Sequence, residues 1–219
     1  MVRKFTQQEK FNLIINCAAY NDVDRAEDEK ESCYRLNAYA PLYLAKAAKE
    51  IDAVFVTYST DFVFDGEKGS PYTEEDKPNP LSVYGKSKLE GERFVLNEYD
   101  KSIVIRTSWL FGVGGQNFNT QVLRWARSNN QLKIVDDQIS SPTYSYDLAN
   151  FSLKLLKRGT FGLFHFSNRG IASKYDQALY VLKKAGWKGT LQRQNLQILI
   201  LKQEGQVLVN WIVVRWKPW

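Results

Sequence analysis

Residues 54–66 read Val54-Phe55-Val56-Thr57-Tyr58-Ser59-Thr60-Asp61-Phe62-Val63-Phe64-Asp65-Gly66. The first six are β-branched, aromatic or small hydroxyl residues, which suit a buried strand better than a helix. The run stops at Ser59 and Thr60. Residues 61–80 follow, rich in Gly, Pro, Asp and Asn, and read as a long loop. Two similar apolar runs flank this segment, Leu13-Ile14-Ile15-Asn16-Cys17 and Ile103-Val104-Ile105-Arg106-Thr107. Residues 37–50 and 82–97 lie between the runs and have helical spacing. The alternation of strand, helix, strand, loop, helix and strand predicts an α/β fold with a parallel sheet covered by helices. Short right-handed crossovers would make the three strands neighbours. Further along, 118–128, 146–156 and 175–185 read as helices, and 134–135 and 164–166 as short strands.

Bulk properties narrow the function classes. A chain of 219 residues holds one domain with a sizeable core or two small ones. With 44% hydrophobic and 25% charged residues it has an ordinary globular composition, and no apolar run reaches the length of a membrane span. The first ten residues lack the apolar core of a signal peptide. Cys17 and Cys33 have no metal-ligand spacing and read as free thiols of a reducing cytoplasm. His165 is the only histidine, so no metal site is expected. The net charge of +6 is concentrated late, at Arg193, Lys202, Arg215 and Lys217, while 22–31 is acidic. The basic residues form no continuous footprint, and neither a nucleic-acid nor a membrane partner is expected.

Chemistry is carried by three residues in order. Thr60 ends the second expected strand, where an open parallel sheet collects its reactive groups. Tyr84 follows near a helix start, and Lys88 lies one turn further on the same helix face. Reducing a ketone by hydride leaves an alkoxide that needs a proton at once. A tyrosine can supply it if a nearby ammonium lowers its pKa from about 10. The Thr60 hydroxyl can hydrogen-bond the same carbonyl oxygen. On spacing alone Tyr84 and Lys88 read equally as a surface pair, and Tyr180-Val-Leu-Lys-Lys184 repeats the spacing with no hydroxyl-ended strand before it.

The surrounding text adds specificity. Ser59-Thr60-Asp61-Phe62-Val63-Phe64-Asp65-Gly66 resembles the Ser-Thr-Asp-Tyr-Val-Phe-Asp-Gly signature of the dTDP-4-dehydrorhamnose reductases, with Phe62 in place of the usual tyrosine. The likeness continues through Pro71-Tyr72-Thr73-Glu74-Glu75-Asp76, Pro78-Asn79-Pro80-Leu81 and Tyr84-Gly85-Lys86-Ser87-Lys88-Leu89-Glu90-Gly91-Glu92. It also includes Asn16-Cys17-Ala18-Ala19-Tyr20, Val23-Asp24-Arg25-Ala26-Glu27, Arg106-Thr107-Ser108-Trp109-Leu110-Phe111-Gly112, Asp137-Gln138 and Ser141-Pro142-Thr143-Tyr144, and spans 2–187.

The resemblance implies an extended short-chain dehydrogenase/reductase that uses NADPH or NADH to reduce the 4-keto group of a dTDP-6-deoxyhexose, giving dTDP-L-rhamnose. Thr60, Tyr84 and Lys88 would be catalytic, with Asp61 and Trp109 at the sugar. Ala18, Ala19 and Tyr20 would lie along the cofactor, joined by Tyr84 and Lys88. By residue type alone, Trp109 also reads as core packing, and Ala18 and Ala19 as tight strand–helix packing. A homodimer is the expected assembly. Residues 1–190 would be the reductase-type region, with a partial NAD(P)-binding Rossmann-type sheet up to about 136 and a small α/β substrate region over 137–190. Two competing readings are a non-catalytic homologue like the regulatory β subunit of methionine adenosyltransferase, and an inactive gene fragment.

The two ends depart from the family pattern. The first glycine is Gly66, so no glycine-rich phosphate-binding turn precedes the first expected strand. The expectation is a reductase lacking its first strands, with weakened cofactor affinity and impaired turnover. Residues 191–219 read as an aberrant tail. Shifting the reading frame over 202–212 permits Ala-Arg-Arg-Pro-x-x-Ser-x-Leu-Asp, the family's own pattern, so the tail is expected to be translated out of frame. The alternative is a hairpin pairing 197–201 with 206–214.

Overall fold

The computed structural model describes residues 2–9 and 11–195. In chain order the chain forms α1 (Val2–Glu9), β1 (Leu13–Asn16), α2 (Lys30–Tyr34), α3 (Ala40–Glu50), β2 (Val54–Thr60), α4 (Val83–Glu98) and β3 (Ser102–Thr107). Next come β4 (Leu110–Phe111), α5 (Phe118–Ser128), β5 (Gln131–Val135), β6 (Ile139–Ser140), β7 (Thr143–Tyr144) and α6 (Ser145–Arg158). The last described elements are β8 (Gly162–His165), β9 (Ala172–Ser173), α7 (Lys174–Lys184) and β10 (Thr190–Gln194). No helix among the described residues is long and apolar enough to cross a membrane. Two compact units emerge. One comprises the stretch ending at Asp65, Thr73–Thr107 and Ala149–Phe166; the other comprises Gly66–Tyr72, Ser108–Leu148 and the stretch beginning at Ser167.

The first unit holds a sheet of order β1-β2-β3-β8, parallel throughout. The three strands expected from the sequence are therefore neighbours with the expected direction. β3 is buried along its whole length, as a strand covered on both faces must be. Phe55 and Val104 meet Ala45, Ala48, Ala53, Val95 and Tyr99 in the core beneath α3 and α4. The small alanines of α3 let that helix lie close to the sheet.

The helix expected over 37–50 begins earlier, at Lys30, and changes pitch in the middle. Over Arg35–Tyr39 the bonding widens to a π turn, in which the Ala40 N–H reaches the Arg35 carbonyl. Pro41 supplies the cause, because it has no N–H to offer the Asn37 carbonyl four residues back. That carbonyl lies against α4. A Cβ on Gly91 would stand 2.1 Å from the Asn37 oxygen, so only glycine fits there.

The second unit is built from pairs of short strands. β5 pairs parallel with β10, β4 parallel with β7, and β6 antiparallel with β9. Val122, Leu132, Ile134, Ala178 and Leu182 form its core between α5, α7 and β5. Reciprocal side-chain caps start both helices, Asn117 with Thr120 and Ser173 with Asp176. Several strand limits differ from the sequence expectation. β5 starts at Gln131 rather than 134, and β8 runs over Gly162–His165 rather than 164–166. Residues 191–194, read as the start of the tail, belong to β10. The out-of-frame stretch and the alternative hairpin lie outside the described residues.

Candidate active site

Thr60 ends β2 and caps the single helical turn Asp61–Val63, its Oγ1 accepting from the Phe62 N–H at 3.2 Å. The same hydroxyl donates to Asp61 Oδ1 at 3.0 Å. Tyr84 is the second residue of α4, which Ser82 caps by accepting from the Gly85 N–H at 3.0 Å. Gly85 permits this close approach: a Cβ there would stand 2.2 Å from the Phe62 carbonyl oxygen. The Phe62 and Tyr84 rings meet edge to face at 5.5 Å. Thr60 and Tyr84 are thus brought together, close enough for the Thr60 hydroxyl to bear on the phenol. Thr60, Asp61, Tyr84 and Lys88 are all buried.

Burial dominates the acid–base character. It pushes the Tyr84 phenol above its ordinary range; the Thr60 hydrogen bond opposes that shift, while Asp61 and Cys33 add to it. Burial also lowers the Lys88 ammonium to about 8, opposed by the charges of Glu92 and Cys33. The Lys88 Nζ, expected from the sequence to lower the pKa of Tyr84, donates to the Tyr58 carbonyl at 2.6 Å.

Ala18, Ala19 and Tyr20 follow β1 at the carboxyl end of the sheet, Ala18 exposed and Ala19 half-buried. The Ala18 N–H donates to Asn16 Oδ1 at 3.1 Å. Tyr20 is held at both backbone groups by Asn37, its N–H donating to Oδ1 at 2.9 Å and its carbonyl accepting from Nδ2 at 3.0 Å. The same Asn37 amide donates to Ser87 Oγ at 3.0 Å, and Ser87 donates to the Tyr84 carbonyl at 2.7 Å. Asn37 therefore ties the segment after β1 to the helix that carries Tyr84. Sequence reasoning missed it; a lone asparagine in an alanine-rich helix was the available signal.

A second missed group lies deeper. Glu92, two turns beyond Tyr84, forms a buried bidentate pair with Arg106 of β3, at 2.6 and 2.9 Å. Ser59 donates to Glu92, Arg106 Nη1 lies 3.3 Å from His165 Nε2, and the guanidinium stands 5.1 Å from the centroid of the Phe64 ring. An arginine inside the run Ile103-Val104-Ile105 was its signal, since a charge in a buried strand needs a partner.

Trp109 belongs to the second unit. Its backbone has φ 43°, in the left-handed region, and its ring is half-buried beneath the Lys174 ammonium at 3.5 Å.

Comparison with known proteins bears on this arrangement. The family model of the RmlD substrate binding domain matches residues 1–199. The dTDP-4-dehydrorhamnose reductase of Aggregatibacter actinomycetemcomitans is 42% identical over 191 residues, which cover 84% of this chain and 65% of that protein. The Bacillus subtilis spore coat polysaccharide biosynthesis protein SpsK is 39% identical, covering 80% of this chain and 62% of that one. The chain thus spans less than two thirds of the length of these relatives. Among solved structures, the dTDP-4-dehydrorhamnose reductase of Bacillus anthracis in complex with NADP superposes with a TM-score of 0.93 at 33% identity, covering 99% of this chain and 75% of that one.

Proposed function

We propose, from the premise that this chain belongs to the RmlD substrate binding domain family, that it carries the proton-transfer site of an NAD(P)H-dependent reductase acting on the 4-keto group of a dTDP-6-deoxyhexose. The observation that carries this reading is the buried set of Thr60 at the carboxyl end of a parallel strand, Tyr84 at the start of the following helix and Lys88 one turn away. The Thr60 hydroxyl orients and polarises the sugar carbonyl. Tyr84 delivers its proton to the oxygen as negative charge develops there. Its raised pKa leaves the phenol protonated at neutral pH, so that its proton is available in the reducing direction. Asp61 accepts from Thr60 in the substrate-free site; that single proton turns to the sugar carbonyl when substrate binds, and Asp61 lies beside the sugar.

When bound, the nicotinamide supplies the hydride. The residues present fit one side of such a cofactor. Ala18 and Ala19 offer small side chains at the end of β1, Asn37 fixes the Tyr20 backbone, and Lys88 places a cation one turn from Tyr84. The Bacillus anthracis relative, solved with NADP, supports this assignment. Trp109 is assigned to the sugar on the family resemblance. Two free thiols, Cys17 and Cys33, support a cytoplasmic setting. A homodimer is supported by the apolar side chains Leu36, Tyr39 and Tyr43, each at least 44% exposed along one helical run.

The test is NADPH consumption with dTDP-4-dehydro-L-rhamnose, alongside calorimetric titration of NADPH and dTDP-L-rhamnose. Tyr84→Phe should bind both ligands and turn over at least a hundredfold more slowly, on the order of what a lost proton donor costs. Turnover that survives this substitution would remove Tyr84 from the chemistry. Failure of the unmodified chain to bind either ligand would overturn the reading as a whole.

A further inference from the structure

One lysine of the second unit sits where helix energetics disfavour it. Lys174 is the first residue of α7, at the positive end of the helix dipole, where an acidic side chain is preferred. Ser173 and Asp176 cap the first turn, so the helix start does not depend on the Lys174 side chain as a cap. Its ammonium stands 3.5 Å from the centroid of the Trp109 ring and 4.5 Å from that of Phe118. Two aromatic faces thus converge on one cation, an arrangement whose attraction comes from the negative faces of the rings.

Trp109 is itself unusual. A φ of 43° is rare for a bulky residue, and such a setting persists only where the surroundings enforce it. The enforcing contacts surround both residues. Leu110 and Phe111 pair with Thr143 and Tyr144, and the Trp109 carbonyl accepts from the Thr143 N–H at 3.2 Å. On the lysine side, Ile139 and Ser140 pair with Ser173 and Ala172, and the Lys174 N–H donates to the Gln138 carbonyl at 3.2 Å. Each partner of the contact therefore directly adjoins a short strand pair, and both have little freedom to drift.

We propose that Lys174 is a positioning residue for hexose recognition. By occupying one face of the indole it holds Trp109 in its strained setting and leaves the opposite face and the edge of the ring for the sugar of a nucleotide-linked hexose. The inference rests on the reading of Trp109 as a sugar contact. It adds that the cation, not the backbone alone, sets the ring.

The test compares dTDP with dTDP-L-rhamnose by titration calorimetry, so that the ratio of the two affinities isolates the sugar's contribution. Lys174→Met keeps the aliphatic stem and removes the charge. It should reduce that ratio by roughly threefold to thirtyfold, the range expected for a lost cation–π contact, and leave dTDP affinity unchanged. Lys174→Arg should restore most of the ratio. Trp109 emission, taken as the difference from Trp109→Phe, should shift in the methionine variant and return in the arginine variant. Lys174→Gln provides the same loss of charge if the methionine variant does not fold. An unaltered ratio in the neutral variants overturns the inference alone. Equal weakening of both ligands with a lowered Tm also overturns it, by reducing the contact to a structural one. If the unmodified chain binds neither ligand, the functional reading falls and the inference falls with it.

Discussion

Two helices of this molecule carry the same spacing, Tyr84 with Lys88 on α4 and Tyr180 with Lys184 on α7, yet the two pairs sit in opposite environments. Tyr84 is 9% exposed and Tyr180 65%. Lys88 turns its ammonium to a carbonyl of β2, whereas the Lys184 ammonium lies 5.7 Å from the centroid of its own tyrosine ring. An i,i+4 relation makes two side chains neighbours and does no more. What separates the pairs is the position of the tyrosine. Tyr84 stands in the first turn of a helix packed on a parallel sheet, within reach of a hydroxyl at a strand end. Tyr180 lies in the second half of a helix, on its solvent face.

The sharpest way to break this comparison is to treat both tyrosines alike. Tyr84→Phe should lower turnover by about a hundredfold to ten-thousandfold. Tyr180→Phe should leave turnover and Tm unchanged. A comparable loss in the two variants would show that burial does not distinguish them. Next come the charges behind each pair. Arg106→Met strands Glu92 in the interior and should destabilise by roughly 3–5 kcal/mol in urea unfolding. Arg193→Met removes the exposed partner of Asp136 and should cost below about 1 kcal/mol.

A pH series sharpens the lysine half. The folded value of Lys88 is about 8, against an ordinary 10.5. Between these values the unfolded chain holds a proton that the folded chain does not, so stability rises with pH across this window. The penalty of burying the ammonium is fully present below pH 8 and relieved above 10.5. Relative to Lys88→Met, the unmodified chain should therefore gain up to ~3 kcal/mol over that window. A flat difference would mean that Lys88 is solvated. Two glycines make a last contrast, between close packing and backbone conformation. Gly91→Ala forces a Cβ onto the Asn37 carbonyl and should cost about 1–3 kcal/mol. Gly186→Ala, just beyond α7, meets no neighbour within 4 Å but must hold φ 68°, for about 1 kcal/mol. Equal losses at the two sites would argue against tight contact between the π turn Arg35–Tyr39 and α4.

Much of the first unit was legible because β2 and β3 are largely buried, and these strands and β1 contain apolar runs. The hydroxyl at the end of β2 and the helix start at Ser82 could be placed from residue types alone. The π turn over Arg35–Tyr39 was not legible, because it arises from Pro41 acting on a carbonyl four residues earlier, within a pattern that otherwise reads as plain helix. Sequence gives the separation of Tyr84 and Lys88 along the helix, but not which carbonyl claims the ammonium. In the second unit, strands of two residues such as β4, β6, β7 and β9 leave no periodicity to read, and only their pairing partners define them.

The order of strands in the sheet also sets an order in time. β2 and β3 are each flanked on both sides, while among the described residues β1 is bonded to β2 alone. Backbone amides of β1 should then exchange with solvent through shallow local openings, and those of β3 mainly through deeper unfolding. Thr60 and Arg106 ride on the slow strands, and Ala18 and Ala19 follow the fast one. The segment assigned to the cofactor can thus loosen and re-form many times within the lifetime of one intact proton-donating pair.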